Sequence, residues 1–261
     1  MSIEIPHNVS SPALQQFILS LADDELILGH RNAEWTGHAP ILEEDIAFSN
    51  IAQDELGHSL VWYSLLESMT GRTPDAAAFE RPWNEFTCCR FVANPKGDFA
   101  YTVVRQYLFD AAEQVRLQAF LTSSFGEFRN IALKLLREES YHLLHSRGLV
   151  ERLGDATEES HRRMQAALDV ALPQAEGMFE ELADERELIA GNVFPGNAAL
   201  RKQWLEAVTP VLTGATLTVS RTTQAVDKDA LGGRTMHHHD HLRALVEDLQ
   251  SVYRLVPGGK W

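Results

Sequence analysis

Apolar residues recur along this chain with the 3.6-residue period of α-helices. Leu14, Ile18, Leu21 and Leu28 form one stripe between Ser11 and about Trp35. Ser11 followed by Pro12 predicts the helix start, with Ser as N-cap and Pro at the first helical position. Glu25 falls on the stripe, four residues after Leu21 and three before Leu28, whereas Asp23 and Asp24 lie to its sides and are expected to be more exposed. A second helix is predicted from about Leu42 to Thr70, with Phe48, Ile51, Ala52, Glu55, His58 and Trp62 on one face. Gly71, Pro74, Pro82, Pro95 and Gly97 then mark a long crossover. A third helix follows over about Phe99–Ser123, with Val103, Gln106, Tyr107, Asp110, Glu113 and Leu117 along one side. The fourth is predicted over about Phe128–Leu153, with Ala132, Leu135, Leu136, Glu139, His142 and Leu143 inward. Gly154 ends it, and Asp155 with Glu158 resembles a capping box that opens a helical stretch to about Glu187. Further helices are expected over about Ala198–Leu212 and, after Gly232-Gly233, His239–Leu255. Neither a strand period nor a fixed repeat is visible, so the chain reads as all-α.

Two of these helices carry the same chemistry. Glu55 with His58, and Glu139 with His142, stand three residues apart and project from one helix face. A carboxylate and an imidazole so placed reach one metal ion. Two such motifs, with one more carboxylate from each of two other helices, hold di-iron or di-manganese in ferritin-like bundles. Glu25 supplies the extra carboxylate of the first hairpin. For the second, Asp110 is preferred because it lies 29 residues before Glu139, as Glu25 lies 30 before Glu55, and Glu113 is the alternative. Near-equal spacing is expected to set the paired acids at about the same height. The predicted metal set is Glu25, Glu55, His58, Asp110, Glu139 and His142. The architecture follows as one ferritin-like domain over 1–261, with a four-helix core at about 11–154 and a helical extension at about 155–261.

Composition removes several classes. A hydrophobic content of 44% supports a sizeable core, yet no apolar run approaches the roughly 18–20 residues that cross a bilayer. The start lacks a secretory signal pattern, and the two cysteines, Cys88 and Cys89, are adjacent and poor candidates for a disulfide. A packing role and a reduced, cytoplasmic setting fit them. A formal charge of −14 argues against nucleic-acid binding. His237-His238-His239-Asp240-His241 reads as a solvated loop and helix start, because consecutive histidines cannot all face one ion on a helix. His30 and Glu34 form an i,i+4 pair with a structural role, and Trp35, Trp62 and Trp83 read as packing anchors. There is no Gly-rich phosphate loop, Cys-x-x-Cys or nucleophile elbow.

Several segments resemble the PaaC-type subunits of bacterial phenylacetyl-CoA epoxidase. They are His30-Arg31-Asn32-Ala33-Glu34-Trp35-Thr36-Gly37-His38-Ala39-Pro40, Arg105-Gln106-Tyr107, Tyr141-His142-Leu143, Ser146-Arg147-Gly148 and Val256-Pro257-Gly258-Gly259-Lys260-Trp261. The resemblance spans nearly the whole chain. It implies a ferritin-like fold and a scaffold role in aerobic phenylacetate catabolism. A sister subunit of related fold would carry the di-iron centre and the CoA thioester, and a separate reductase would supply electrons. Pairing with a second copy as a homodimer is also compatible with it. The better-known members of that family have eroded metal positions. Here the six predicted ligands match the pattern of the catalytic sister, as do the contexts Gln53-Asp54-Glu55 and Glu138-Glu139-Ser140. The ligand set is then either metal-filled or closed by salt bridges. A self-sufficient di-iron oxygenase is the rival reading, and a ferritin-type iron-storage protein a third, disfavoured by the helices after residue 154.

Overall fold

The computed structural model describes residues 4–219, 228–256 and 259. Among them the chain is all-α, with no strand, as its periodicity predicts. No helix among the described residues is long and apolar enough to cross a membrane. Of the closing motif, Pro257, Gly258, Lys260 and Trp261 lie outside the described residues, as do Met1–Ile3. The chain divides into two compact units. One combines Gln15–Pro95 with Gly232–Trp261, the other Met1–Leu14 with Lys96–Leu231.

The first unit is built on the hairpin of α1 (Ser11–Ala33) and α2 (Leu42–Thr70). The cap of α1 is Ser10, one residue earlier than expected, whose Oγ accepts from the Ala13 amide at 3.4 Å. The predicted inner face of α2 is buried from Phe48 to Trp62, and Gly71, in the left-handed region at φ 77°, closes the helix. The two helices run antiparallel, since Asp23 meets Tyr63 while Gly29 lies against Ala52, Glu55 and Leu56. A Cβ on Gly29 would come 3.1 Å from both the Ala52 carbonyl oxygen and the Glu55 Cβ. Glycine therefore lets α2 approach closely.

The crossover is more ordered than its proline content suggests. It carries α3 (Pro74–Phe79), a 3₁₀ turn at Trp83–Glu85 and α4 (Arg90–Ala93), with Cys88 and Cys89 buried and not disulfide-bonded. Trp35 and Trp62 are buried as anchors, whereas Trp83 is only half-buried.

The second unit centres on α5 (Phe99–Phe120) and α6 (Gly126–Asp155), with α7 (Glu158–Ala175) and α9 (Asn197–Gly214) packed along α5 and α6. Asp98 caps α5 by accepting from the Tyr101 amide at 2.9 Å. At the turn the Phe120 and Phe128 rings meet at 4.5 Å. Trp204 of α9 is fully buried and donates to the Leu108 carbonyl at 2.9 Å, so its indole N–H is satisfied inside the core. The expected inner face of α6 holds at Ala132, Leu135, Glu139 and His142, but Leu136 and Leu143 are only half-buried.

Three boundaries differ from expectation. The capping box before α7 is Thr157 with Ser160, because Asp155 still belongs to α6. The stretch to Glu187 is not one helix. It ends at Ala175, two residues after Pro173, and passes through a 3₁₀ turn at Glu176–Phe179 to α8 (Glu185–Ala190). Gly177 abuts the Ala230 carbonyl so closely that no Cβ fits. The last helix is α10 (Asp240–Leu249) and α11 (Ser251–Leu255), broken at Gln250. Its buried side chain donates to the carbonyls of Ala78 at 3.2 Å and Arg81 at 2.8 Å.

Candidate metal centre

In the first unit, Glu25, Glu55 and His58 are all buried, and each offers a ligand atom within 4.8 Å of the others. His58 Nδ1 stands 3.8 Å from Glu55 Oε2, as the three-residue helical spacing dictates. The contacts of Asp23 with Tyr63 and of Gly29 with Glu55 set the hairpin register. Glu25 is then level with about Leu60, and Glu55 lies nearly one and a half turns, about 7.5 Å, along the axis. The two acids are not at the same height, as their spacing suggests, and their side chains close the gap.

In the second unit, Asp110, Glu139 and His142 are buried, and ligand atoms of Asp110 and His142 come within 4.8 Å. His142 Nδ1 is 3.5 Å from Glu139 Oε1. Asp110 is level with Ser146, one helical turn beyond His142, because Ser146 Oγ donates to Asp110 Oδ2 at 2.6 Å. The other oxygen accepts from Gln106 Nε2, also at 2.6 Å. Glu113, the alternative to Asp110, is buried in an ion pair with Arg116 one turn along α5. Burial pushes the phenol of nearby Tyr107 above its ordinary range. Arg147 opposes that, while Glu151 and Asp110 add to it.

Each unit thus gathers two carboxylates and one imidazole away from water. Oxygen and imidazole donors without thiolate suit iron, manganese or zinc. The donor set fits, and these buried groups can hold a metal ion.

Sequence reasoning missed what surrounds them. Asp23 and Asp24 are not exposed but fully buried, because each meets a buried arginine. Asp23 takes the Arg81 guanidinium on both oxygens and also accepts from Tyr63 Oη at 2.5 Å and the Thr87 amide at 2.7 Å. Asp24 takes Arg234 at 2.9 and 2.6 Å and the Cys89 amide at 2.7 Å. Burial works against both guanidinium charges, yet the facing aspartates outweigh it and raise both pKa values. Burial, with Asp23 second, lifts the Tyr63 phenol and the Cys88 thiol well above their usual values, so both stay protonated. Ser146 and Gln106 had a visible signal, each standing four residues from a predicted ligand. So did Gly29, four residues after Glu25. Arg81 and Arg234 had none, being far away in sequence.

The histidine tract is a loop and helix start, as expected. His237, His239 and His241 are exposed, and half-buried His238 donates through Nε2 to the Phe86 carbonyl at 2.7 Å. His30 and Glu34 have separate partners, Asp248 at 3.3 Å and Arg31 at 2.5 Å.

An all-α chain with two buried Glu-x-x-His motifs, each beside a carboxylate of the preceding long helix, has the signature of the ferritin-like metal-binding class. The family model described as "Phenylacetic acid catabolic protein" matches residues 3–261, and the chain belongs to that family. It is 33% identical over 251 residues to the C-type subunit of 1,2-phenylacetyl-CoA epoxidase from Escherichia coli (strain K12), covering 95% of this chain and 99% of that protein.

Proposed function

We propose that this protein is a scaffold subunit of a phenylacetyl-CoA 1,2-epoxidase complex in aerobic phenylacetate catabolism, paired with a di-iron catalytic sister subunit. Family membership and near-full-length likeness to an epoxidase subunit support that role. In this reading a separate reductase supplies the electrons, and the complex works in the cytoplasm, where buried Cys88 and Cys89 stay reduced. We further propose that the six ligands act as one di-metal set within a single ferritin-like domain. The observation that carries this is the repeated half-set, a buried carboxylate next to a buried Glu-x-x-His in each unit.

Four carboxylates and two neutral imidazoles carry a charge of −4, which two divalent ions neutralise. Without them, such acids in low dielectric must be protonated or paired. When bound, a di-iron pair supplies dioxygen activation. The chain's own part is to hold the metals, keep them from water and balance their charge.

A second reading, a catalytically competent oxygenase acting on an aromatic CoA thioester, is favoured by the completeness of the donor set. Glu55→Ala in the reconstituted complex decides between the two. A scaffold leaves epoxidation nearly unchanged, and a catalyst loses turnover. Elemental analysis of the wild-type protein, purified without chelator, tests the site itself. About two metals per chain is the expected result, and none, alone or with its sister subunit, would defeat it.

A further inference from the structure

Asp23, Asp24 and Glu25 are three consecutive carboxylates on α1, all buried. On a helix they point in directions about 100° apart, so fixing two of them fixes the rotation of the third. Both flanking residues are fixed. Arg81 of the crossover forks onto Asp23, and Arg234 of the C-terminal segment forks onto Asp24. Two-pronged guanidinium–carboxylate pairs constrain orientation as well as charge.

Neither arginine is itself adjustable. Arg81 donates through Nε to the Ala77 carbonyl at 2.5 Å, bonds the Glu85 carbonyl at 3.1 Å and sits 4.2 Å over the Phe86 ring. Arg234 also reaches the carbonyls of Ser20 at 3.3 Å and Thr87 at 3.1 Å. Next to it Gly233 lies so close to the Cys88 carbonyl that no side chain fits, which pins the backbone carrying Arg234.

We propose that Arg234 and Arg81 are positioning residues for the metal half-set, acting through Asp24 and Asp23 to hold α1 at the rotation that aims Glu25 at Glu55 and His58. The pairs are neutral overall, so they orient the ligand without changing the charge the metal meets. The proposal rests on the metal reading above.

The test uses the full chain loaded with Co²⁺, whose visible absorption reports ligand geometry. Measurements are made well below the melting temperature of each variant. Arg234→Lys keeps the charge and removes the fork. It is expected to weaken metal binding about tenfold, in the range found for residues that orient ligands, and to alter the cobalt spectrum. Asp24→Asn with Arg234→Gln, which leaves no buried charge uncompensated, should shift the spectrum in the same way. Arg201→Lys, which loosens the Glu176 ion pair in the other unit, is the control and should change neither readout. A wild-type affinity and spectrum in both Arg234 variants would overturn the positioning role, as would an equal loss in Arg201→Lys. A wild-type protein that takes up no Co²⁺ would instead overturn the metal reading, and this proposal with it.

Discussion

The two long hairpins present the same three donors but support them by opposite means. Around Glu25 the scaffold is ionic, with Asp23 and Asp24 each locked to a buried arginine, and the helices meet closely at Gly29. Asp110 itself accepts from two uncharged donors, the Ser146 hydroxyl and the Gln106 amide. The difference is one of reach. A local hydrogen bond holds a ligand whose partner lies on the same or the next helix. An ionic fork can draw in a segment far away in sequence, at the cost of two buried charges that must never be parted.

That contrast predicts unequal fragility. Arg81→Gln strands Asp23 as a buried charge and should destabilise the fold by about 3–5 kcal/mol, the usual consequence of halving a buried ion pair. Thermal or denaturant unfolding measures it, and a loss below about 1 kcal/mol would mean that Tyr63 and Thr87 alone satisfy the aspartate. Ser146→Ala removes one donor to the Asp110 carboxylate and leaves Gln106 in place, so the expected cost is about 1.5–3 kcal/mol. A larger loss than in Arg81→Gln would reverse the comparison.

The smallest effect is one of pH. Burial lowers the pKa of His238, against the Phe86 carbonyl and Asp23, which raise it, and with Arg90 and Arg234, which lower it further. Burial likewise lowers His30, although Asp248 and Glu34 oppose it, while Arg31 assists. A histidine whose folded pKa is depressed gives stability that is present above its unfolded value of 6.5 and is lost as pH falls below it. Both residues belong to the unit containing Glu25. The lowered carboxylates of the other unit, Glu159 and Glu187, give up their contribution only below 4.5. Between pH 7 and 5.5, protection against hydrogen exchange, taken relative to the intrinsic rate at each pH, should therefore fall in 15–95 and 232–256 before it does in 96–219. A uniform fall in protection would contradict this assignment.

The fold class was legible because its signals are local. Periodicity and Gly71 mark the long helices within a few residues, and the Glu-x-x-His spacing puts each pair on one face. What escaped was non-local. Helical spacing alone sets Asp23 and Asp24 beside the core stripe, and their burial depends on Arg81 and Arg234, which no period connects to α1. Near-equal spacing of 30 and 29 residues likewise predicts level acids, whereas the close approach at Gly29 and the Ser146 bond set the actual registers. The periodicity predicts helix to Glu187 because an amphipathic pattern continues past Pro173, whereas the helix ends two residues beyond that proline.

One consequence concerns the order in which the chain is made. Asp24 and Arg234 are 210 residues apart. A ribosome extruding the protein delivers the whole α1/α2 hairpin, with Glu25, Glu55 and His58, long before the arginine that holds Asp24. Domains generally fold as they emerge, but the unit that holds Glu25 must wait until Arg234 has been made. Until then the nascent hairpin holds an aspartate without its counter-ion.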